Sequence, residues 1–335
     1  MITIRLKRVF FSLVASLALS ACAQNPVTPP PLLPGAKIAI VTPASAIDSM
    51  VIVRAAEKIT QMGYEPVVYP HAFGRHHGTY AANDTLRAVD LMTAFADPEI
   101  SAILCARGGY GTNRLIPMLD IEVIKANPKW LIGYSDISVL HALMRKARIT
   151  SIHGPMCGHI DDNPLDEEST AYLFQMLSEG LPMSYEIETH PYNKYGYAKG
   201  RLVGGNLLTI NALSETPLDV LNIGDQEDII LYIEDVSEQI YAIERVLIRL
   251  HQSGSLANLK GLIIGEFTDY KPSKDFETME DMIHYWLDEW GYYGSEDFPI
   301  MFGFPAGHGE PNYPLPLGAM TEISLTPTAA KIAFK

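Results

Sequence analysis

From Lys37 onward the chain alternates short apolar runs with stretches of helical period, and this most constrains what it can fold into. KIAIVTP (37–43), EPVVY (65–69), ISAILCA (100–106), KWLIGY (129–134) and TSIHG (150–154) read as strands, the first of them fully buried. Helices are expected over Asp48–Met62, over Asp84–Phe95 with Asp84 in the N-cap region, and over Ile137–Arg148. A helix over Glu167–Glu179 closes this half. Apolar strands separated by helices of about 12 residues predict an α/β fold with a parallel, doubly wound sheet.

Residues 181–198 are rich in Pro, Tyr, Gly and Asn and lack a helical period, so they read as the crossing to a second domain. The expected division is 36–182 and 183–335. The second part holds GRLVGGNL (200–207), DIILYIED (228–235), a helix over Glu238–His251, GLIIGEF (261–267), a helix over Met279–Trp290, IMFGF (300–304) and strands near 322–326 and 330–334.

The 335 residues are 47% apolar and 19% charged, as in a chain that buries a core. Lys and Arg number 25 against 39 Asp and Glu, a formal charge of −14, so no basic footprint for nucleic acid exists. Three cysteines exclude a disulfide scaffold, and no Cys or His ligand ladder suggests a structural metal.

Residues 1–22 read MITIRLKRVFFSLVASLALSAC. Arg5, Lys7 and Arg8 precede an apolar run, Val9 to Leu19, too short to span a bilayer comfortably. Leu19-Ser20-Ala21-Cys22 resembles a bacterial lipobox, which implies cleavage after residue 21 and acylation of Cys22. An ordinary secretory signal with an incidental Cys is the plainer reading. Ala23 stands where an inner-membrane retention Asp would sit, so the periplasmic face of the outer membrane is expected, ahead of the inner membrane. Arg5, Lys7 and Arg8 leave with residues 1–21 and take no acid with them, so the formal charge falls from −14 to −17. The Pro-rich stretch within 22–35 is expected to be an extended tether that lifts the body off the membrane. Cys105 and Cys157, each in or beside an apolar run, are expected as buried free thiols.

Three Gly-rich loops follow expected strands. Arg107-Gly108-Gly109-Tyr110-Gly111 suits close backbone approach to a ligand, as an oxyanion hole or simply a tight turn. Gly133-Tyr134-Ser135-Asp136 joins a strand to a helix like a nucleophile elbow without its closing Gly. Capping of the helix by Ser135 or Asp136 accounts for the same residues. Pro305-Ala306-Gly307-His308-Gly309 offers His308 as the best-placed base among ten histidines. Glu234-Asp235 closes a buried strand, where a carboxylate could orient that base or cap the helix expected from Glu238.

Together these loops resemble the LD-carboxypeptidase family, the muramoyltetrapeptide carboxypeptidases. The resemblance rests on Arg107-Gly108-Gly109-Tyr110-Gly111, Gly133-Tyr134-Ser135-Asp136, Gly204-Gly205-Asn206-Leu207, Glu234-Asp235-Val236 with Arg245, and Gly307-His308-Gly309 followed by Leu315-Pro316-Leu317-Gly318. They occur in the family's order from about residue 36 to the end of the chain. The resemblance implies a flavodoxin-like N-terminal domain and a mostly β C-terminal domain, with the site at their interface and dependent on domain closure. It implies Ser135 as nucleophile, His308 as base then acid, Glu234 as orienting carboxylate, and the N–H groups of Gly109 and Asp136 as oxyanion donors. It implies no metal or cofactor, and a homodimer. The implied reaction removes the terminal D-Ala from murein tetrapeptides through an acyl-enzyme. Arg107 and Arg245 are candidates for the substrate carboxylate, or members of structural ion pairs.

A periplasmic lipoprotein would also meet cross-linked stems, which adds an LD-endopeptidase as a companion expectation. Relatives that hydrolyse a peptidyl-nucleotide antibiotic act in the cytoplasm, against the sense of the lipobox. From another class, a non-catalytic muropeptide-binding lipoprotein or a structural cell-wall protein would have no need of Ser135, Glu234 and His308 together.

Overall fold

The computed structural model describes residues 26–221, 227–295 and 298–335; the expected leader and Cys22 lie outside the described residues. The first half contains β1 (Lys37–Val41), α1 (Ser49–Gln61), β2 (Glu65–Val68), α2 (Asp84–Ala96), β3 (Ile100–Cys105), α3 (Ile121–Ala126), β4 (Trp130–Gly133), α4 (Ser138–Ala147), β5 (Ser151–His153), α5 (Cys157–Asp162) and α6 (Glu168–Glu179). Its strands lie in the order β2-β1-β3-β4-β5, every neighbour parallel. This is the flavodoxin-like order, with its switch point between β1 and β3. Alternate residues of each strand enter different cores. Ala39, Val41, Ile103, Cys105 and Leu131 join one cluster, and Ile38, Ile40, Ala102, Leu104 and Trp130 the other.

Polar caps start the helices. The Asp48 side chain accepts from the Met50 N–H before α1, and Asn83 from the Leu86 N–H before α2. Asn83, and not Asp84, therefore caps α2, because ion pairs to Arg87 and Arg114 draw the Asp84 carboxylate away.

The second half contains β6 (Met183–Ile187), β7 (Gly196–Asn206), α7 (Leu207–Asn211), β8 (Ile229–Val236), α8 (Ile240–Gln252), β9 (Gly261–Thr268), α9 (Met279–Glu289), β10 (Ile300–Met301), β11 (Leu315–Leu317), β12 (Met320–Leu325) and β13 (Ala330–Phe334). Its sheet runs β10-β9-β8-β7-β12-β13-β6. β7 to β10 pair in parallel, and β12, β13 and β6 extend the sheet antiparallel. The crossing segment thus contributes an edge strand, β6, which its composition did not suggest.

β11 leaves its own half. It pairs antiparallel with β5, Leu315 opposite His153, and completes a six-stranded sheet. Residues 183–335 therefore lend one strand, β11, to the sheet of the first half. The halves also share one apolar cluster, in which Leu140 and Leu143 of α4 join Val203, Leu207, Leu231 and Leu247. The two halves are packed together through this cluster.

The Pro-rich stretch differs from expectation as well. The Val27 N–H donates to the Arg148 carbonyl (2.8 Å), and the Val27 carbonyl accepts from the Thr150 N–H (2.9 Å). The Pro30 carbonyl takes the Trp130 indole N–H at 2.9 Å. Leu32 is buried, and its N–H donates to the Leu177 carbonyl. Burying a leucine and satisfying an indole N–H outweighs the freedom of an extended spacer. Residues 27–35 form a strap across the amino ends of β5, β4 and β1. Cys105 and Cys157 are free and buried, and burial raises both thiol pKa values, that of Cys157 to about 12. Among the described residues no helix is long and apolar enough to cross a membrane.

Candidate active site

The carboxyl ends of β1, β3 and β4 converge at the switch point, where open α/β sheets place ligands. After β4 the chain turns sharply. Ser135 has φ +65°, a left-handed conformation that costs a non-glycine residue on the order of 1 kcal/mol. A short 3-10 turn, Ser135–Ile137, then leads into α4. The turn brings Ser135 against the loop after β3. A Cβ on Gly108 would lie 2.7 Å from the Ser135 Cβ and 3.0 Å from its Oγ, so only glycine fits there.

The Asp136 carboxylate accepts the Thr112 N–H at 2.8 Å, binding the two loops together. Its own N–H lies in the first turn of the helical segment, where no intrahelical acceptor exists. The Gly109 N–H is exposed and donates to no described group. Sequence reasoning missed two organisers of this loop. The Ser45 Oγ accepts the Tyr110 N–H at 3.1 Å, and the Ser45 N–H donates to the Gly108 carbonyl at 3.1 Å. The buried Arg87 guanidinium donates to the carbonyls of Pro43, Ala82 and Gly111. An Arg at an otherwise apolar-facing helix position was the only available signal.

Glu234 lies near the carboxyl end of β8, where it is fully buried. Its Oε2 accepts from His308 Nδ1 at 2.7 Å, while its Oε1 has no described partner. The carboxylate fixes the proton on Nδ1 and leaves Nε2 free to exchange a proton. Gly307 (φ +124°) permits this contact, since a Cβ there would stand 2.9 Å from the Glu234 Cβ and Oε2. The rest of the loop is held from the other half of the molecule. The Gly307 N–H donates to Asn312 Oδ1, the Asn312 N–H to Ser169 Oγ, and the Tyr313 hydroxyl to Glu168 of α6.

The Tyr134 ring meets His308 edge-on, with centroids 4.9 Å apart. Burial, with the nearby Glu234 and Glu310 charges, raises the Tyr134 phenol to about 12. Ser135 is the next residue, and its hydroxyl makes no hydrogen bond to any described group. The arrangement is a formed His–Glu dyad beside a strained serine turn.

Asp235, next to Glu234, does different work. It accepts from Asn206 Nδ2 and the Leu208 N–H, and so supports the start of α7 rather than the helix expected from Glu238. Burial raises its carboxyl to about 6. His153 is fully buried, its Nε2 3.4 Å from the Tyr232 hydroxyl, and burial lowers its pKa well below the ordinary value. His251 stacks on Trp290 at 4.2 Å.

A cleft of about 390 Å³ opens on this constellation, lined by Arg107, Tyr134, His159, Asp162, His308 and Glu310 among others. Arg107 donates to the Ala46 carbonyl at 2.9 Å and makes no ion pair among the described residues, which leaves its charge available to the cleft. Arg245 does not line this cleft. It is exposed on α8, with its guanidinium 5.5 Å from the centre of the Tyr241 ring.

Comparison with known proteins places the chain in a family. Residues 38–154 match the LD-carboxypeptidase N-terminal domain, and residues 199–323 the LD-carboxypeptidase C-terminal domain. The murein tetrapeptide carboxypeptidase of Pseudomonas aeruginosa is 30% identical over 290 residues, covering 84% of this chain and 91% of that protein. The microcin C7 self-immunity protein MccF of Escherichia coli is 29% identical over 272 residues, covering 71% and 75%. The crystal structure of muramoyltetrapeptide carboxypeptidase from Oxalobacter formigenes superposes with a TM-score of 0.78 at 27% identity, covering 89% of this chain and 98% of that one.

Proposed function

The chain belongs to the LD-carboxypeptidase family, and on that premise we propose that it is a serine LD-carboxypeptidase that removes the terminal D-Ala of murein tetrapeptides. The observation that carries this reading is the His308–Glu234 dyad at 2.7 Å, whose His308 lines the cleft and packs against Tyr134, the residue before the strained Ser135. Ser135 Oγ attacks the carbonyl carbon of the L-configured residue, and its proton passes to His308 Nε2. The tetrahedral oxyanion receives the N–H groups of Gly109 and Asp136. His308 returns the proton to the D-Ala nitrogen as the C–N bond breaks. Water, deprotonated by His308, then releases the tripeptide and restores the Ser135 hydroxyl. Arg107 takes the terminal carboxylate, which explains a free cation in an acidic protein. The lipobox supports anchorage through acylated Cys22 on the periplasmic face of the outer membrane.

The test uses the body from residue 23 and its Ser135→Ala variant, with disaccharide tetrapeptide, dimers carrying LD cross-links, and an aminoacyl sulfamoyl nucleoside. Products are read by mass spectrometry. Ser135-dependent loss of one Ala from the tetrapeptide supports the proposal, and Ser135-dependent cleavage of the dimers adds the endopeptidase. Turnover of the nucleoside alone would move the assignment towards the activity of the MccF relatives.

A further inference from the structure

The Pro-rich strap lies at one end of the molecule and the cleft at the other. Val27 sits between Arg148 and Thr150, just before β5. Pro30 meets Trp130, the first residue of β4, and Gly35 donates to Gly63, ahead of β2. All these contacts are at the amino ends of the parallel strands. Ser135, Arg107 and Glu234 follow or close carboxyl ends. One strand of five residues separates the two levels by about 17 Å.

The strap end is also apolar. Val27 is 49% and Leu33 76% exposed, and a cavity of about 780 Å³ there is lined by Pro30, Pro31, Leu33, Pro34, Pro98 and Pro128 among others. Lys129, which lines this cavity, is buried and donates to the carbonyls of Ala94 and Asp97, and Lys37 is engaged by Glu65 and Glu99.

Chain length then selects an orientation. Five peptide steps separate Cys22 from the docked Val27, a reach of at most about 18 Å. Turning the cleft towards the bilayer would lift Val27 by the roughly 17 Å of the strand and by the cleft's loops beyond it, which uses up the whole reach of a fully extended linker. We infer that the strap face, with Leu33 and its surrounding prolines, rests on the lipid surface that holds Cys22, and that the cleft faces away from that bilayer. This inference rests on the lipoprotein reading above. An apolar face whose two lysines are already partnered suits a zwitterionic surface and needs no anionic lipid. An enzyme so oriented presents its site to polymeric substrate beyond the membrane.

The experiment uses full-length acylated protein in phosphatidylcholine–phosphatidylethanolamine vesicles containing a brominated lipid. A fluorophore is placed at Leu33→Cys on the strap, or at Thr79→Cys beside the carboxyl end of β1. Both sites are exposed, and Cys105 and Cys157 are buried. The Leu33 probe should be quenched at least threefold more than the Thr79 probe, with no dependence on salt. Equal or reversed quenching in protein shown by mass spectrometry to carry acyl chains on Cys22 overturns the orientation alone. An unmodified Cys22 overturns the lipoprotein reading beneath it. A Leu33 probe shielded in detergent by a second copy, seen as a doubled mass, assigns the face to self-association and overturns the lipid assignment.

Discussion

Replacing Glu234 by Gln tests the mechanism most directly, because it removes one charge and almost no volume. The carboxylate stands 2.7 Å from His308 Nδ1 at a fully buried site. At an effective dielectric of about 20, a unit charge at that distance stabilises an imidazolium by about 6 kcal/mol. His308 becomes an imidazolium only on the way to the acyl-enzyme, so the loss falls on the transition state. At about 1.4 kcal/mol per decade, kcat should drop roughly ten-thousandfold, with KM little changed. The fold should not suffer. The Glu234 Oε1 is buried without a described partner, so trading the anion for a neutral amide relieves a desolvation cost. Tetrapeptide turnover followed by chromatography, with thermal melting in parallel, gives both readouts. A variant of unchanged melting temperature that keeps more than a tenth of wild-type kcat would refute the assignment of Glu234 and the charge argument with it.

Gly307→Ala should lower kcat at least tenfold and stability by about 1–3 kcal/mol, read by turnover and denaturant melts, because its Cβ meets Glu234 at 2.9 Å. Arg107→Ala should raise KM about tenfold for the free acid and leave KM unchanged for a substrate ending in D-Ala amide; equal effects on both would exclude the carboxylate contact. Asp235 is raised from an ordinary 3.8 to about 6, so the folded state holds its proton more tightly than the unfolded chain. Stability should therefore fall by up to about 3 kcal/mol as pH rises from about 4 to about 6, and Asp235→Asn should flatten that slope in melts across the window. A body beginning at Lys37 should melt well below one beginning at Pro26, because burial of Leu32 alone contributes about 1.5–3 kcal/mol.

The five parallel strands were legible because strands buried on both faces read as continuous apolar runs, and Ile38 to Val41 and Ile100 to Cys105 do so plainly. Ser135 and His308 stood out as candidates because each sits in a glycine-containing turn after a strand, and Glu234 because it is a charged residue near the end of a buried apolar run. β11 was not, because Leu315-Pro316-Leu317 is three residues long and contains a proline, and its partner β5 is more than 160 residues away. Local pattern carries no signal for such pairing. The strap failed for a related reason: composition describes an isolated Pro-rich peptide, while Trp130 and Leu177 supply its docking site from elsewhere in the chain. Arg245 matched a family stretch, but α8 carries it onto the surface, where Tyr241 covers its guanidinium.

The strand exchange between halves bears on biogenesis. Until Leu315–Leu317 has emerged, β5 ends the first sheet as a bare edge, its backbone groups open to any passing strand. A chain made amino end first would carry that edge through nearly all of its synthesis. The serine turn is translated long before the loop that supplies its histidine, and that loop closes only when the last twenty or so residues join both sheets. The first half could not be transplanted into another protein with its sheet complete without taking β11 from the second.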